Sequence, residues 1–316
     1  MPDQYSTPTG SRAMSRWQLS RRNLLAGAAA TGVLAACGSS GDGDADDVAE
    51  SGAGTVATTG STAAAGDATW TLVQRFPQDV QVPGPIRLPI SLSTGNAQLV
   101  QDGPASLDAT VTDLEGNQIG EPITATRRDV APAPYYDFRT TMDEPGVYYL
   151  IVDGGPGQGA AFQVMDPAIV GVPKPGDQLA GFDTPTTDDA RGVEPICTRE
   201  PEPCPFHDVT LTDALSDPRA VVYLVGTPAF CATGSCAPAL EAMIDVRDDF
   251  DDTFTFVHAE VYTDDTATAP APAVEAVGLT YEPALFVTDA NGVVVERLDA
   301  VWDETELVEV LTRVAG

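Results

Sequence analysis

The sequence predicts a multidomain protein: an N-terminal β-sandwich followed by an α/β domain, both carried behind an export signal. Three observations lead there. An arginine pair stands before a short apolar stretch near the start, alternating apolar segments fill residues 69–166, and strand and helix patterns alternate from residue 195 onward.

The export signal comes first in the chain. Ser20-Arg21-Arg22-Asn23-Leu24-Leu25 opens the stretch LLAGAAATGVLAA at 24–36. A bilayer-spanning helix needs ~20 apolar residues, so this stretch suits the core of a signal peptide instead. These residues resemble a twin-arginine export signal followed by a bacterial lipobox, Leu34-Ala35-Ala36-Cys37. The resemblance implies that Arg21 and Arg22 direct export, that residues 1–36 are removed, and that Cys37 carries acyl chains. Two or more such chains anchor a protein stably, which predicts a lipid-anchored protein on the extracytoplasmic side of the cell membrane. Residues 37–68 are Gly, Ser, Ala, Thr and Asp with hardly a large apolar side chain, the composition of a disordered tether.

Residues 69–166 read as a β-sandwich. WTLVQRF, IRLPISLS, SLDATVTDL, QIGEPITATR, YYDFRTT, GVYYLIVDG and AAFQVMD are candidate strands separated by turn residues. In SLDATVTDL, Leu107, Ala109 and Val111 alternate with Asp108, Thr110 and Thr112, the period of a half-buried strand. Regularly spaced short strands of this number argue for the immunoglobulin or fibronectin type. In PGVYYLIVDG, Tyr148 or Tyr149 is either the corner tyrosine of such a domain or an ordinary core tyrosine. The segment has no cysteine or histidine, so its expected role is spacing or docking. Residues 167–194, rich in Pro, Gly, Asp and Thr, read as a linker that also wraps the next domain.

From 195 to 316 the elements alternate. AVVYLVG is a continuous apolar run and reads as a buried central strand. CAPALEAMIDVRDDF carries Leu240, Met243, Ile244 and Phe250 at helical spacing, with Pro238 tolerated only in a first turn, so the helix starts near Ser235 or Cys236. Strand FTFVHAEVY follows, then a short helix around 273–277 closed by Gly278, then Pro283 and strand ALFVTD. Asn291-Gly292 makes a hairpin into VVVERLD. Asp303 with Glu306 three residues on forms a capping box, ahead of a stripe of Leu307, Val310, Leu311 and Val314.

This order, with a cysteine pair opening the helix after the central strand and a proline before the hairpin, resembles the thioredoxin superfamily. TPAFCATGSCAP is similar to exported bacterial thioredoxin-like proteins of the TlpA and ResA type. The resemblance implies a thiol-disulfide oxidoreductase in which Cys231 is the nucleophile, Cys236 resolves the mixed disulfide, and Pro283 is cis beside them. Its partners would be exported thiol or disulfide proteins. A cysteine ahead of a helix is a place where free N–H groups stabilise a thiolate. The cysteine spacing of C-x4-C, Phe230 before Cys231 and Val225 in place of a buried acid depart from the family, and no proton carrier is evident.

The other cysteines follow from arithmetic. Assigning Cys37 of the five cysteines to lipid leaves Cys197, Cys204, Cys231 and Cys236, an even set in an oxidising compartment. Cys197 and Cys204 flank prolines and read as a structural disulfide or as a second exchange pair. No cofactor and no metal are expected, since His207 precedes the central strand and His258 reads as a packed strand residue. With 47 acidic against 16 basic residues, a net charge of −31, nucleic acid is an unsuitable partner. Three rival readings stay open: a non-enzymatic binding or scaffold lipoprotein with an inert disulfide, a copper-binding protein of the Sco type, and a peroxiredoxin-like protein.

Overall fold

The computed structural model describes residues 69–316; Arg21, Arg22 and Cys37, with the signal and tether readings, lie outside them. Seven strands come first: β1 (Thr71–Gln74), β2 (Gly84–Ser93), β3 (Ser106–Thr112), β4 (Gln118–Arg128), β5 (Tyr135–Met142), β6 (Gly146–Val152) and β7 (Ala160–Val164). Each falls on one of the alternating segments of the sequence. They run in the order β1-β2-β5-β4-β3-β6-β7, every pairing antiparallel.

The sequence suggested two separate sheets face to face, whereas one hydrogen-bonded order runs through all seven strands. The reason is β4, long enough to serve two neighbours. It pairs with β3 from Gln118 to Thr126 and then with β5 at Arg127 and Arg128, past a register shift between Ala109 and Val111. The two ends of the sheet also meet, because Thr69 and Trp70 donate their N–H groups to the Gly154 carbonyl at 2.8 and 3.0 Å. The result is a nearly closed, barrel-like sheet filled by Leu88, Ile90, Leu92, Phe138, Leu150 and Phe162. Tyr148 donates its hydroxyl to the Glu144 carbonyl at 3.0 Å.

β2 shows what the barrel packs against. Its Ile86, Leu88, Ile90 and Leu92 face the barrel interior, and alternation would leave Arg87 and Ser91 in water. Both are buried, because the C-terminal part covers that face. Arg87 reaches Glu306, and its Nη2 donates to the Val301 carbonyl at 2.5 Å.

The C-terminal part contains α1 (Leu211–Ser216), β8 (Ala220–Val225), α2 (Cys236–Phe250), β9 (Phe254–Ala259), α3 (Pro272–Ala276), β10 (Ala284–Thr288), β11 (Val294–Asp299) and α4 (Glu304–Ala315). Its sheet order is β11-β10-β8-β9, with β8 and β9 parallel and the other two pairings antiparallel. That order, with helices on both faces, is a thioredoxin-like fold. Strand alternation sorts the core. Val222, Leu224 and Phe256 meet α2 and α4 on one face, while Val221, Tyr223 and Val257 meet α1 and α3 on the other.

The sequence reading lacked α1. That short helix rests on Thr210, whose side chain accepts the Asp213 N–H, and on the burial of Leu211 and Ala214. Residues 167–194 hold no helix or strand, yet Val170, Val172, Leu179 and Val193 are buried, and Gln178 bridges to Val293. Val170, Val172 and Leu179 pack into the same core as Val221, Tyr223 and Val257 of the α/β part. No helix of the described residues is long and apolar enough to cross a membrane.

Candidate functional site

Cys231 lies in the loop after β8, and Cys236 is the first residue of α2. The N-cap position, Ser235, makes no side-chain cap, so the first N–H groups of α2 remain available. The Cys231 sulfur takes one of them, accepting the Cys236 N–H at 3.4 Å, and lies 3.3 Å from Thr233 Oγ1. Gly234, at φ 68°, supplies the left-handed turn that folds the loop back. Cys231 is partly exposed while Cys236 is buried.

Their acidities separate accordingly. The Cys236 thiol bonded to it, helped by Thr233 and the α2 backbone against the effect of burial, brings Cys231 down to about 5. Burial, then the bond to Cys231 and the Glu282 charge, push Cys236 well above the usual thiol range. At pH 7 Cys231, brought down to about 5, is ~99% thiolate.

Pro283 follows a cis peptide bond from Glu282. A Cβ built on Gly226 would lie 3.3 Å from Pro283 Cβ and 3.6 Å from Cys236 Sγ, so glycine there lets the proline and the buried cysteine pack against the end of β8.

Two residues that sequence reasoning missed complete the site. Cys236 Sγ donates to Glu282 Oε2 at 3.4 Å, and burial, followed by the Cys231 charge, raises the Glu282 carboxyl to about 7. A proton carrier is therefore present, on the loop before β10 rather than on β8. The second is Arg75, from the turn after β1. Its Nη2 donates to Ser235 Oγ at 2.7 Å and its Nη1 to Ser91 Oγ at 3.2 Å. Burial lowers the Arg75 pKa, and the Cys231 charge opposes that shift. The N-terminal sheet, expected only to space or dock, contributes a cation to the site. A cleft of about 390 Å³ opens there between Arg75, Phe76, Pro132, Thr233, Tyr281 and Glu282.

The disulfide expected between Cys197 and Cys204 is absent, and both are free, buried thiols. Cys197 Sγ instead accepts the Cys204 N–H at 3.3 Å, and both sulfurs face a histidine: His258 Nδ1 is 3.4 Å from Cys204 Sγ and 3.8 Å from Cys197 Sγ. His207 Nε2 is 3.3 Å from the same His258 nitrogen. The bonded Cys204 thiol holds Cys197 far below the usual thiol range. His258, read from the sequence as a packed strand residue, is one, and its ring faces both sulfurs. Strand alternation turns His258 to the face of Phe254 and Phe256, where the 197–207 loop lies, and the His258 N–H bonds the Phe206 carbonyl at 3.2 Å. The signal in the sequence was that the chain's two histidines and this cysteine pair are all in or opposite one loop.

No protein-family profile and no curated protein matches this chain. Among solved structures, it is similar to one described as a "putative Thiol:disulfide interchange protein DsbE from Chlorobium tepidum". The identity is 15% and the TM-score 0.33, over 46% of this chain and 99% of that one.

Proposed function

We propose that this protein is an extracytoplasmic thiol-disulfide oxidoreductase working through Cys231 and Cys236, anchored to the membrane by lipid on Cys37. The observation that carries the reading is the asymmetry of the pair: an accessible thiol brought down to about 5 beside a buried thiol that donates to Glu282. The export reading rests on Arg21, Arg22 and the lipobox. The N-terminal sheet is read as immunoglobulin-like, supported by its seven antiparallel strands and by the Tyr148 to Glu144 bond.

The exchange balances as follows. The Cys231 thiolate attacks one sulfur of a client disulfide; a Cys231–client bond forms, and the client's S–S bond breaks to release a thiolate. Glu282 takes the Cys236 proton. The Cys236 thiolate then attacks Cys231 Sγ, forming the Cys231–Cys236 bond and releasing the second client thiolate. The client gains two electrons and the pair loses them; the Cys236 proton, held by Glu282, passes to one released client thiolate, and the other takes its proton from solvent. Run backwards, the same steps oxidise a dithiol. Pro283 lines the approach to the pair, and clients are exported proteins with thiols or disulfides.

One observation favours a peroxidase as second reading. Arg75 stands near a low-pKa cysteine that has Thr227 upstream, a combination able to polarise peroxide.

A redox titration with alkylation and mass spectrometry at each cysteine tests the proposal. Reversible two-electron oxidation of Cys231 with Cys236, and catalysed reduction of a model protein disulfide, are expected. An inert pair would leave a scaffold lipoprotein. Peroxide consumption without disulfide exchange would select the peroxidase, and stoichiometric copper on Cys231 and Cys236 a copper carrier.

A further inference from the structure

We infer that Cys197, Cys204, His207 and His258 form a closed tetrahedral zinc(II) site, separate from the Cys231–Cys236 pair. All four side chains are buried, and one ligand atom from each lies within 4.8 Å of the others. They include both histidines of the chain.

The three separations from His258 Nδ1 fit a tetrahedron around one ion, and the other three lie within 4.8 Å. Zinc bonds of ~2.3 Å to sulfur and ~2.05 Å to nitrogen imply ligand separations of ~3.3 Å for N to N and ~3.5 Å for S to N. The distances are 3.3 Å from His258 Nδ1 to His207 Nε2, then 3.4 and 3.8 Å from His258 Nδ1 to Cys204 and Cys197. Two thiolates and two imidazoles with no oxygen donor suit zinc, and four protein ligands leave no open position, as in structural sites.

The surroundings orient the ligands. His258 Nε2 is 3.0 Å from the Gly226 carbonyl, which fixes the proton on Nε2 and leaves the Nδ1 lone pair facing the sulfurs and His207. The Cys204 N–H on Cys197 Sγ stabilises that sulfur as a thiolate. His207 Nδ1 is buried without a hydrogen-bond partner, and the ring meets the other three side chains through Nε2, 3.3 Å from His258 Nδ1.

The ion would clamp the 197–207 loop to β9, the edge strand of its sheet. The same loop carries Thr198, which bonds Glu260 at 2.6 Å through its N–H and accepts the Ala229 N–H at 3.1 Å. Zinc would thus hold in place the loop that precedes Cys231.

The test uses the full chain carrying Cys37→Ser, Cys231→Ser and Cys236→Ser, in which Cys197 and Cys204 are the only thiols. After anaerobic reduction and desalting, one zinc per chain is expected. Cobalt(II) in its place should give intense tetrahedral d–d bands and a thiolate-to-cobalt charge-transfer band. Adding Cys204→Ser or His258→Gln should weaken binding by more than the ~10–100-fold typical of outer-shell changes. If those variants fail to fold, the cobalt spectrum of the parent variant decides alone. No retained zinc together with an octahedral cobalt spectrum overturns the site. So does a Cys197–Cys204 disulfide in the native chain as purified, and copper in place of zinc there overturns the choice of metal. Because Cys231 and Cys236 are absent from the test protein, the result does not depend on thiol exchange.

Discussion

Arg87 of β2 grips Glu306 of α4 with two bonds, Nε to Oε1 at 2.5 Å and Nη2 to Oε2 at 2.6 Å, in a site where Glu306 is wholly buried. Arg139 Nη2 bonds the same carboxylate at 2.6 Å, and the Tyr135 hydroxyl also donates to it. Four groups from the two ends of the chain are thereby satisfied together, so the barrel and the α/β part share a polar joint.

Removing one partner of such a pair leaves an uncompensated buried charge, which costs about 3–5 kcal/mol. Glu306→Ala should therefore destabilise the protein by that amount in chemical denaturation. One cooperative transition is expected for the unaltered protein. Two well-separated transitions, with Glu306→Ala affecting only one, would show that the joint does not couple the two parts.

In the intact reduced protein Cys231 should alkylate with a midpoint near pH 5, measured by iodoacetamide alongside a Cys236→Ala variant. Since the Cys236 thiol is the first cause of the low value, the variant's midpoint should lie higher than that of the intact protein. Below the midpoint the thiolate is protonated and the rate falls about tenfold per pH unit.

Glu282→Gln should slow resolution of a Cys231 mixed disulfide by about 100-fold, the scale of a lost general base. Attack by Cys231 should change little, because Cys231 ionises near pH 5, where Glu282 at about 7 is still protonated. In the mixed disulfide Cys231 has no charge, and burial with the Glu260 charge still raises Glu282. Resolution should accordingly rise with pH, its midpoint between the ordinary carboxylate value of ~4.3 and about 7. Stopped-flow release of the second client thiol measures it.

Arg75→Ala removes the cation that the barrel lends to the site. The Cys231 thiolate loses a favourable charge worth ~1 kcal/mol when screened as in water, or ~5-fold in ionisation, so alkylation below pH 5 slows by that factor. Arg75→Lys should restore part of it. Equal rates for all three proteins would mean that Arg75 only braces Ser235.

What could be read from the sequence was whatever local periodicity encodes. The strand alternation of 107–112, the apolar run of AVVYLV, the stripe Leu307, Val310 and Leu311 and the Asp303 cap each depend on neighbours a few residues away. All are found where the pattern put them. The Glu306 half of the capping box is different. Asp303 accepts the Glu306 N–H at 2.7 Å, but the Asp303 N–H goes to the Tyr135 hydroxyl, because two arginines from the barrel outbid the local return bond.

The sequence by itself determined every element but α1, and the C-x4-C loop, since these follow from short-range spacing and turn chemistry, while the place of Pro283 beside the pair was implied by the resemblance alone. Only the tertiary structure decided which distant groups meet. Arg75 reaches Ser235 across 160 positions, Glu282 reaches Cys236 across 46, and His258 reaches Cys204 across 54. Burial makes those meetings matter, because away from water a single charge or lone pair shifts the acidity and ligand strength of whatever faces it.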